Sequence, residues 1–103
     1  MLKVIANRMA TRHSEKKNKD YQVMEVEFEN GYKKDVLLNI FDYQAGVGLA
    51  NTYLPRITDN RKVSRHSKTK DKDYLAMELV FENGHTKDIF LNIYDYQNGL
   101  TLD

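Results

Sequence analysis

The sequence contains no cysteine and no cluster of residues spaced like metal ligands, so neither a disulfide nor a structural metal is expected to cross-link the fold. The lack of cysteine is also compatible with the cytoplasm, where we expect the protein to be located. Hydrophobic residues make up 41% of the chain, which is typical of a globular protein rather than a disordered one. A chain of 103 residues can bury one modest core, so we expect a single domain over residues 1–103.

Long apolar runs are missing as well. No stretch approaches the ~20 apolar residues of a membrane span, so a membrane is not an expected partner. Residues 1–17 have neither a long apolar stretch nor a small-residue cleavage site, so no signal peptide is expected. The segment 47–53 lacks a Gly/Ser run, and we expect it to form a strand or to pack across the core rather than to act as a flexible linker.

The main feature that is present is an internal repeat. Residues 20–46 return as residues 73–99, and 17 of these 27 positions are identical. The same offset of 53 aligns most of the chain as two units, 1–50 and 54–103. Since one such unit alone would be marginally stable, we expect the two units to share one core.

Each unit contains a β-hairpin signal, in which apolar and acidic residues alternate up to an Asn-Gly turn at Asn30-Gly31 or Asn83-Gly84. A two-residue loop would place charged residues on the apolar face. A three-residue loop with the glycine at a bulge pairs Phe28 with Tyr32 and gathers the apolar residues on one side, so we prefer that register. Lys34 and its equivalent Lys87 then lie on the apolar side, and we expect their ammonium groups to remain in water.

The segment after each hairpin has two interpretations. Asn39 followed by Asp42 resembles a capping box, which predicts short helices at 40–45 and 93–98. The Ile, Phe and Tyr residues there would equally suit an extension of the hairpin strand. A further strand is expected at Leu2–Ala6 and at Leu54–Thr58, where the only proline, Pro55, allows an edge or first-residue position.

These elements predict a mainly β (β-rich α+β) fold. Each unit of about fifty residues would contain a strand, a long basic loop, a β-hairpin and a short helix or strand extension. We expect a pseudo-two-fold axis to relate the two units around one core, as a small sandwich or barrel.

Basic residues are concentrated in segments 8–19 and 61–72, which together hold 11 of the 16 lysines and arginines although the net charge is only +1. Both segments lack the hydrophobic periodicity of a helix or strand, so they are interpreted as loops. Guanidinium, ammonium and hydroxyl groups are the donors that bind phosphate. The candidate contact residues are Arg8, Arg12, His13, Ser14, Lys17, Lys19, Arg61, Arg65, His66, Ser67, Lys70 and Lys72.

No catalytic, metal or cofactor site is expected. His13 and Ser14 are adjacent in sequence and therefore point apart, and the spacing fixes no acidic residue that could orient the histidine. The acidic residues Glu25 and Glu27 are better explained by cross-strand pairing, with Lys33 opposite Glu27, than by metal binding. The repeated tyrosines, such as Tyr21 and Tyr74, could stack on exposed bases or seal the rim of the core, and we favour the rim.

The sequence thus favours a small non-enzymatic binding module whose basic loops contact an anionic partner, with nucleic acid preferred over an acidic protein surface. A solvated loop without any such ligand is the alternative for the loops themselves. The alternative function is a protein-interaction module, such as a small inhibitor or adaptor of phage or bacterial origin, acting through a pseudo-symmetric surface. In either case we expect a monomer or a weak homodimer.

Overall fold

The computed structural model of the chain describes residues 1–48 and 54–103, and it is mainly β. One three-stranded antiparallel sheet contains β1 (Val4–Ser14), β2 (Lys19–Phe28) and β3 (Lys33–Val36). The other contains β4 (Ile57–Ser67), β5 (Lys72–Phe81) and β6 (Thr86–Ile89). Helix α1 (Ile40–Gln44) follows β3, and helix α2 (Ile93–Gln97) follows β6.

The predicted long basic loops are wrong, because both segments form β-hairpins. β1 begins close to the predicted start but continues to Ser14, and the chain turns over residues 15–18 before β2 begins at Lys19. The polar strand residues are held by cross-strand partners, such as Glu25 opposite Arg8 and Asp20 opposite His13. Hydropathy cannot reveal such a strand, because its stabilising pairs are charged rather than apolar.

The second hairpin of each sheet has the predicted register. Phe28 donates its backbone N–H to the carbonyl of Tyr32, and Met24 lies opposite Val36. Gly31 has a φ of +89°, a backbone conformation that favours glycine and supports the three-residue loop. The equivalent pairs in the second sheet are Phe81 with His85 and Met77 with Ile89.

The helix interpretation is confirmed, and the strand extension is wrong. Asn39 Oδ1 accepts the backbone N–H of Asp42 at 3.0 Å, while Asp42 Oδ2 accepts the backbone N–H of Asn39 at 2.9 Å. Asn92 and Asp95 form the same capping box in α2. The reciprocal caps satisfy backbone donors that a five-residue helix would otherwise leave without partners.

One hydrophobic cluster draws its residues from both sheets, including Met24, Phe28, Met77 and Phe81. Val47 is also buried in it, whereas most of the predicted strand or core-packing segment 47–53 lies outside the described residues. Neither helix described in residues 1–48 and 54–103 is long and apolar enough to cross a membrane.

Side chains of each unit also bond to the backbone of the other. Asn7 Nδ2 donates to the carbonyl of Pro55 at 3.0 Å, and its Oδ1 accepts the backbone N–H of Ile57 at 3.1 Å. Asn60 makes the equivalent bonds to the carbonyl of Leu2 and the N–H of Val4. Pro55 precedes β4, so it interrupts no ladder bond.

The expectation that Lys34 and Lys87 keep their ammonium groups in water is wrong. Lys34 Nζ lies 2.6 Å from Asp95 Oδ2, with side-chain exposures of 11% and 1%. Lys87 Nζ lies 2.7 Å from Asp42 Oδ2 in an equally buried pair. The stems follow the apolar face as expected, but the helix of the other unit covers the ends and supplies a carboxylate.

Each buried aspartate has a third partner, and here the two units differ. Tyr32 donates its hydroxyl to Asp95, whereas His85 Nε2 lies 2.9 Å from Oδ1 of Asp42. Burial by itself raises the pKa of both carboxyls, but the hydrogen bonds, first of all those from the lysines, outweigh it and hold each pKa below its ordinary value. Both carboxylates are therefore ionised at neutral pH.

Candidate functional site

The four candidate arginines lie on the outer faces of the two sheets, where carboxylates bind them. Arg12 contacts Glu25 at 2.7 Å and Asp35 at 2.9 Å, and Arg8 contacts Glu25 and Glu27. In the second sheet Arg65 contacts Glu78 and Asp88, and Arg61 contacts Glu78. The arginines thus connect neighbouring strands, and their charge is balanced locally.

The protonation of these groups reflects the same contacts. Hydrogen bonds to Glu27 and Glu25 raise the pKa of Arg8, and those to Asp35 and Glu25 raise the pKa of Arg12. The hydrogen bond from Arg8, despite an opposing effect of desolvation, lowers the pKa of Glu25. Glu27 does lie opposite Lys33 as expected, yet its carboxylate binds Arg8.

The two candidate histidines do have acidic partners, contrary to the expectation from spacing. Asp20 lies opposite His13 across the β1–β2 hairpin, and its Oδ1 is 2.8 Å from Nδ1 of the ring. His66 and Asp73 make the equivalent contact at 2.8 Å. Sequence spacing does not show this contact, because only the β1–β2 hairpin brings the two residues together. Both rings are about half exposed.

Ser14 and Ser67 shape the turns of these hairpins. Each hydroxyl oxygen accepts a backbone N–H at 3.3 Å, from Lys17 and Lys70 respectively.

The four candidate lysines behave differently from the arginines. Within residues 1–48 and 54–103, no salt bridge involves Lys17, Lys19, Lys70 or Lys72, so their charges remain available to a partner.

The lysines border two equivalent concave surfaces. The first groove, of about 550 Å³, is formed by residues of β1, β2 and β3 with the turn between β1 and β2, and it is lined by Ser14, Lys17, Lys19, Tyr21, Val23, Asp35 and Leu37. The second groove, of about 450 Å³, is lined by Ser67, Lys70, Lys72, Tyr74 and Phe90. Ser14, Lys17, Lys19 and Tyr21 have their counterparts 53 residues later in the second groove.

The alternation of strand residues separates charge between the faces of each hairpin. Lys19 and Tyr21 lie on the groove side, whereas Asp20 between them lies on the opposite side with His13. Among the described residues, the only carboxylate that lines the first groove is that of Asp35, and Arg12 holds it. The groove therefore presents unpaired ammonium groups above an apolar and aromatic floor.

Sequence reasoning missed the apolar part of the grooves. Leu37 is 67% exposed and Phe90 is 60% exposed, although the hydrophobic pattern alone would place both in a core. The rings of Tyr74 and Phe90 contact each other in a tilted arrangement, with centroids 5.6 Å apart and an interplanar angle of 46°. The alternation of side chains along the strand could have revealed Leu37. Leu37 lies two residues after the outward-facing Asp35, and residues two apart on a strand share a face.

A third concave surface, of about 260 Å³, lies between β3 and β6, and we call it the saddle. It is lined by residues 34–37 of one sheet and 87–90 of the other. Leu37 lines both the first groove and the saddle, and Phe90 lines both the saddle and the second groove.

The arrangement can bind anions through ammonium groups and planar groups through aromatic rings. In the part of the chain that the structure describes, no three His, Asp or Glu side chains are grouped as metal ligands.

Comparisons of the chain with protein-family models, with curated proteins and with solved structures give no significant match.

Proposed function

We propose that the protein is a small non-enzymatic binding module that contacts an anionic partner, preferably nucleic acid, through the lysines of its two grooves. The observation that carries the proposal is the clustering, in both grooves, of lysines beside a tyrosine, where these lysines have no ion-pair partner within residues 1–48 and 54–103. The arginines and histidines have a structural role in this proposal, since carboxylates already hold them.

The chemistry of the grooves fits a nucleic acid better than a compact anion. Lysine ammonium groups act as point charges toward phosphates, and tyrosine rings can stack on bases. A floor that exposes Leu37 and the ring of Tyr21 offers nothing to a small hydrated anion such as inorganic phosphate, but it can cover the face of a base.

Fluorescence anisotropy with labelled single-stranded and duplex oligonucleotides at low salt tests the proposal. Lys17→Gln with Lys19→Gln, and Lys70→Gln with Lys72→Gln, should each weaken binding by roughly tenfold or more and reduce the salt dependence. If all four lysines contact phosphates of a single strand, the slope of log K against log salt is about −3 and falls to about −1.4 in either double variant.

Lys33→Gln with Lys62→Gln is the matched control, since it removes the same charge from exposed positions outside the grooves. Substitution of Arg12 or Arg65 is a poorer test, because it would also leave their carboxylates without partners. The proposal is wrong if the unmodified protein binds neither RNA nor DNA at low salt. It is also wrong if the control double variant weakens binding as much as the groove variants.

We propose in addition that an approximate two-fold axis relates the two repeats within a single sandwich-like domain. The reciprocal bonds of Asn7 and Asn60 and the reciprocal ion pairs of Asp42 and Asp95 support this arrangement, since an isologous interface uses each contact twice. A cross-link between cysteines placed at positions 7 and 55 should then have a counterpart of equal efficiency between positions 60 and 2.

A protein-interaction module, acting as an inhibitor or adaptor, is the second candidate function. The helices support it, because Phe41 and Tyr94 occupy equivalent positions and are 71% and 68% exposed. Affinity capture from bacterial lysates should then recover a partner that is lost with Phe41→Ser and Tyr94→Ser but retained with the lysine variants. Equal recovery with all variants would contradict this function.

A further inference from the structure

The saddle adjoins each of the two grooves, and we call the three surfaces together the path. Leu37 belongs to the first groove and to the saddle, and Phe90 belongs to the saddle and to the second groove. The path therefore leads from Lys17 and Lys19, across the edge strands β3 and β6, to Lys70 and Lys72.

The chemistry along the path alternates in a definite order. Ammonium groups that are unpaired within the described part of the chain border both ends, an aromatic ring follows at each end, and the middle is apolar at Leu37 and Phe90. The carboxylates of Asp35 and Asp88 line the saddle, but Arg12 and Arg65 hold them, so the saddle carries little uncompensated negative charge.

We propose that one single-stranded nucleic acid occupies both grooves at once, with phosphates beside the lysines and unstacked bases over the tyrosines, Leu37 and Phe90. This inference rests on the proposed function and specifies its ligand. A duplex is a poor fit, because it presents its outer phosphates and keeps its base faces stacked inside, so that Leu37 and Phe90 would meet charge. A single strand can bend over the edge of the molecule and turn its base faces toward apolar side chains.

The proposal predicts a length threshold. Two separate grooves would bind two short oligonucleotides, and a strand long enough to cross the saddle would convert the second contact into an intramolecular one. Oligouridylates of increasing length, roughly 2 to 16 nucleotides, should show affinity that rises by on the order of 10²-fold at the threshold. The stoichiometry from isothermal titration calorimetry should change there from two strands per protein to one. Oligothymidylates of the same lengths distinguish RNA from DNA as the source of the strand.

Two sets of variants test the path itself. Leu37→Ser with Phe90→Ser should weaken the long strand at least tenfold more than the shortest one, because each residue also lines one groove but only the long strand crosses the saddle between them. Both side chains are largely exposed, so the fold should tolerate their replacement. Ile5→Ser with Leu75→Ser is the matched control, since these exposed apolar side chains line neither groove nor the saddle. Lys17→Gln with Lys19→Gln should reduce the affinity for the long strand to that of a short one.

The outcomes separate this inference from the proposed function. Two long strands per protein, or affinity that rises with length without a threshold, would overturn the spanning strand and leave two independent anion-binding grooves. Equal losses from the saddle variant and its control would overturn the path across Leu37 and Phe90. Absence of binding at every length would overturn the proposed function and this inference together.

Discussion

At the scale of single residues, the charged side chains of this protein occupy three different environments. The candidate arginines are used within the sheets, two lysines are buried against aspartates, and the groove lysines remain unpaired among the described residues. The same residue type therefore has opposite roles: Lys34 is part of the core, whereas Lys19 faces solvent beside a groove. Among the lysines, burial separates the two roles, since a buried charge requires a partner. The arginines are paired although their side chains are partly exposed.

The first prediction concerns the buried pair of Lys34 and Asp95. Asp95→Asn should lower the free energy of unfolding by about 3–5 kcal/mol, because it leaves the buried ammonium group uncompensated. Urea denaturation followed by circular dichroism measures the change. Asp20→Asn is the control, because its side chain is largely exposed and its loss should cost well under about 1 kcal/mol. Equal losses in the two variants would contradict the importance of the buried pair.

The second prediction concerns Tyr32. Burial, together with the hydrogen bond to Asp95, raises its pKa to about 12. The folded pKa lies above the unfolded value of about 10, so the stability that Tyr32 contributes is fully present below pH 10 and is lost as pH rises toward 12. Ultraviolet titration of tyrosinate absorbance should show a late-titrating group that Tyr32→Phe removes. An unchanged titration curve in that variant would contradict the assignment.

At the scale of the elements, the short helices are stabilised by their ends rather than by their length. A five-residue helix has little intrinsic stability, so the capping box and the buried contacts of its aspartate must hold it in place. The aspartate thus stabilises both local and tertiary structure, because it caps its own helix and neutralises a lysine of the other sheet.

The third prediction concerns the cap itself. Asn39→Ala should lower the free energy of unfolding by about 1 kcal/mol, since it removes the acceptor for the Asp42 N–H. For a domain of this size the melting temperature should fall by about 4–8 °C. Gln44→Ala, at the other end of α1, should change it far less. A melting temperature that is unaffected by Asn39→Ala would show that the aspartate contacts alone hold the helix.

At the scale of the whole molecule, the two sheets depend on each other. The hydrophobic cluster contains residues of both, and the asparagine and aspartate contacts run between the units in both directions. Neither sheet could keep its apolar face away from water without the other.

The fourth prediction follows from this shared core. Thermal unfolding should be a single transition in scanning calorimetry, with equal calorimetric and van't Hoff enthalpies. Asn60→Ala should shift that transition without splitting it, because it removes bonds to the backbone of both Leu2 and Val4. Two separate transitions would show that the repeats fold as independent domains. Light scattering on the same sample tests the expectation of a monomer or a weak homodimer.

Patterns along the chain were enough to predict the register of the second hairpin in each sheet and the capped helices, and they contain the repeat directly. These features depend on neighbours along the chain, such as Asn39 with Asp42 or Gly31 with its positive φ, so local patterns can specify them. The lysines and serines of the grooves could likewise be selected as candidates from their repetition, whereas the repeated tyrosines were expected at the rim of the core.

Which charges are paired and which are available depends on contacts between residues that are distant along the chain. The partner of Lys34 is Asp95, 61 residues away, and that of Arg12 is Asp35, across two strands. Hydropathy cannot reveal such pairs, because a charged residue has the same hydropathy value whether it binds a carboxylate or faces water. The path through Leu37 and Phe90 likewise depends on the packing of one sheet beside the other. No local sequence pattern specifies that packing.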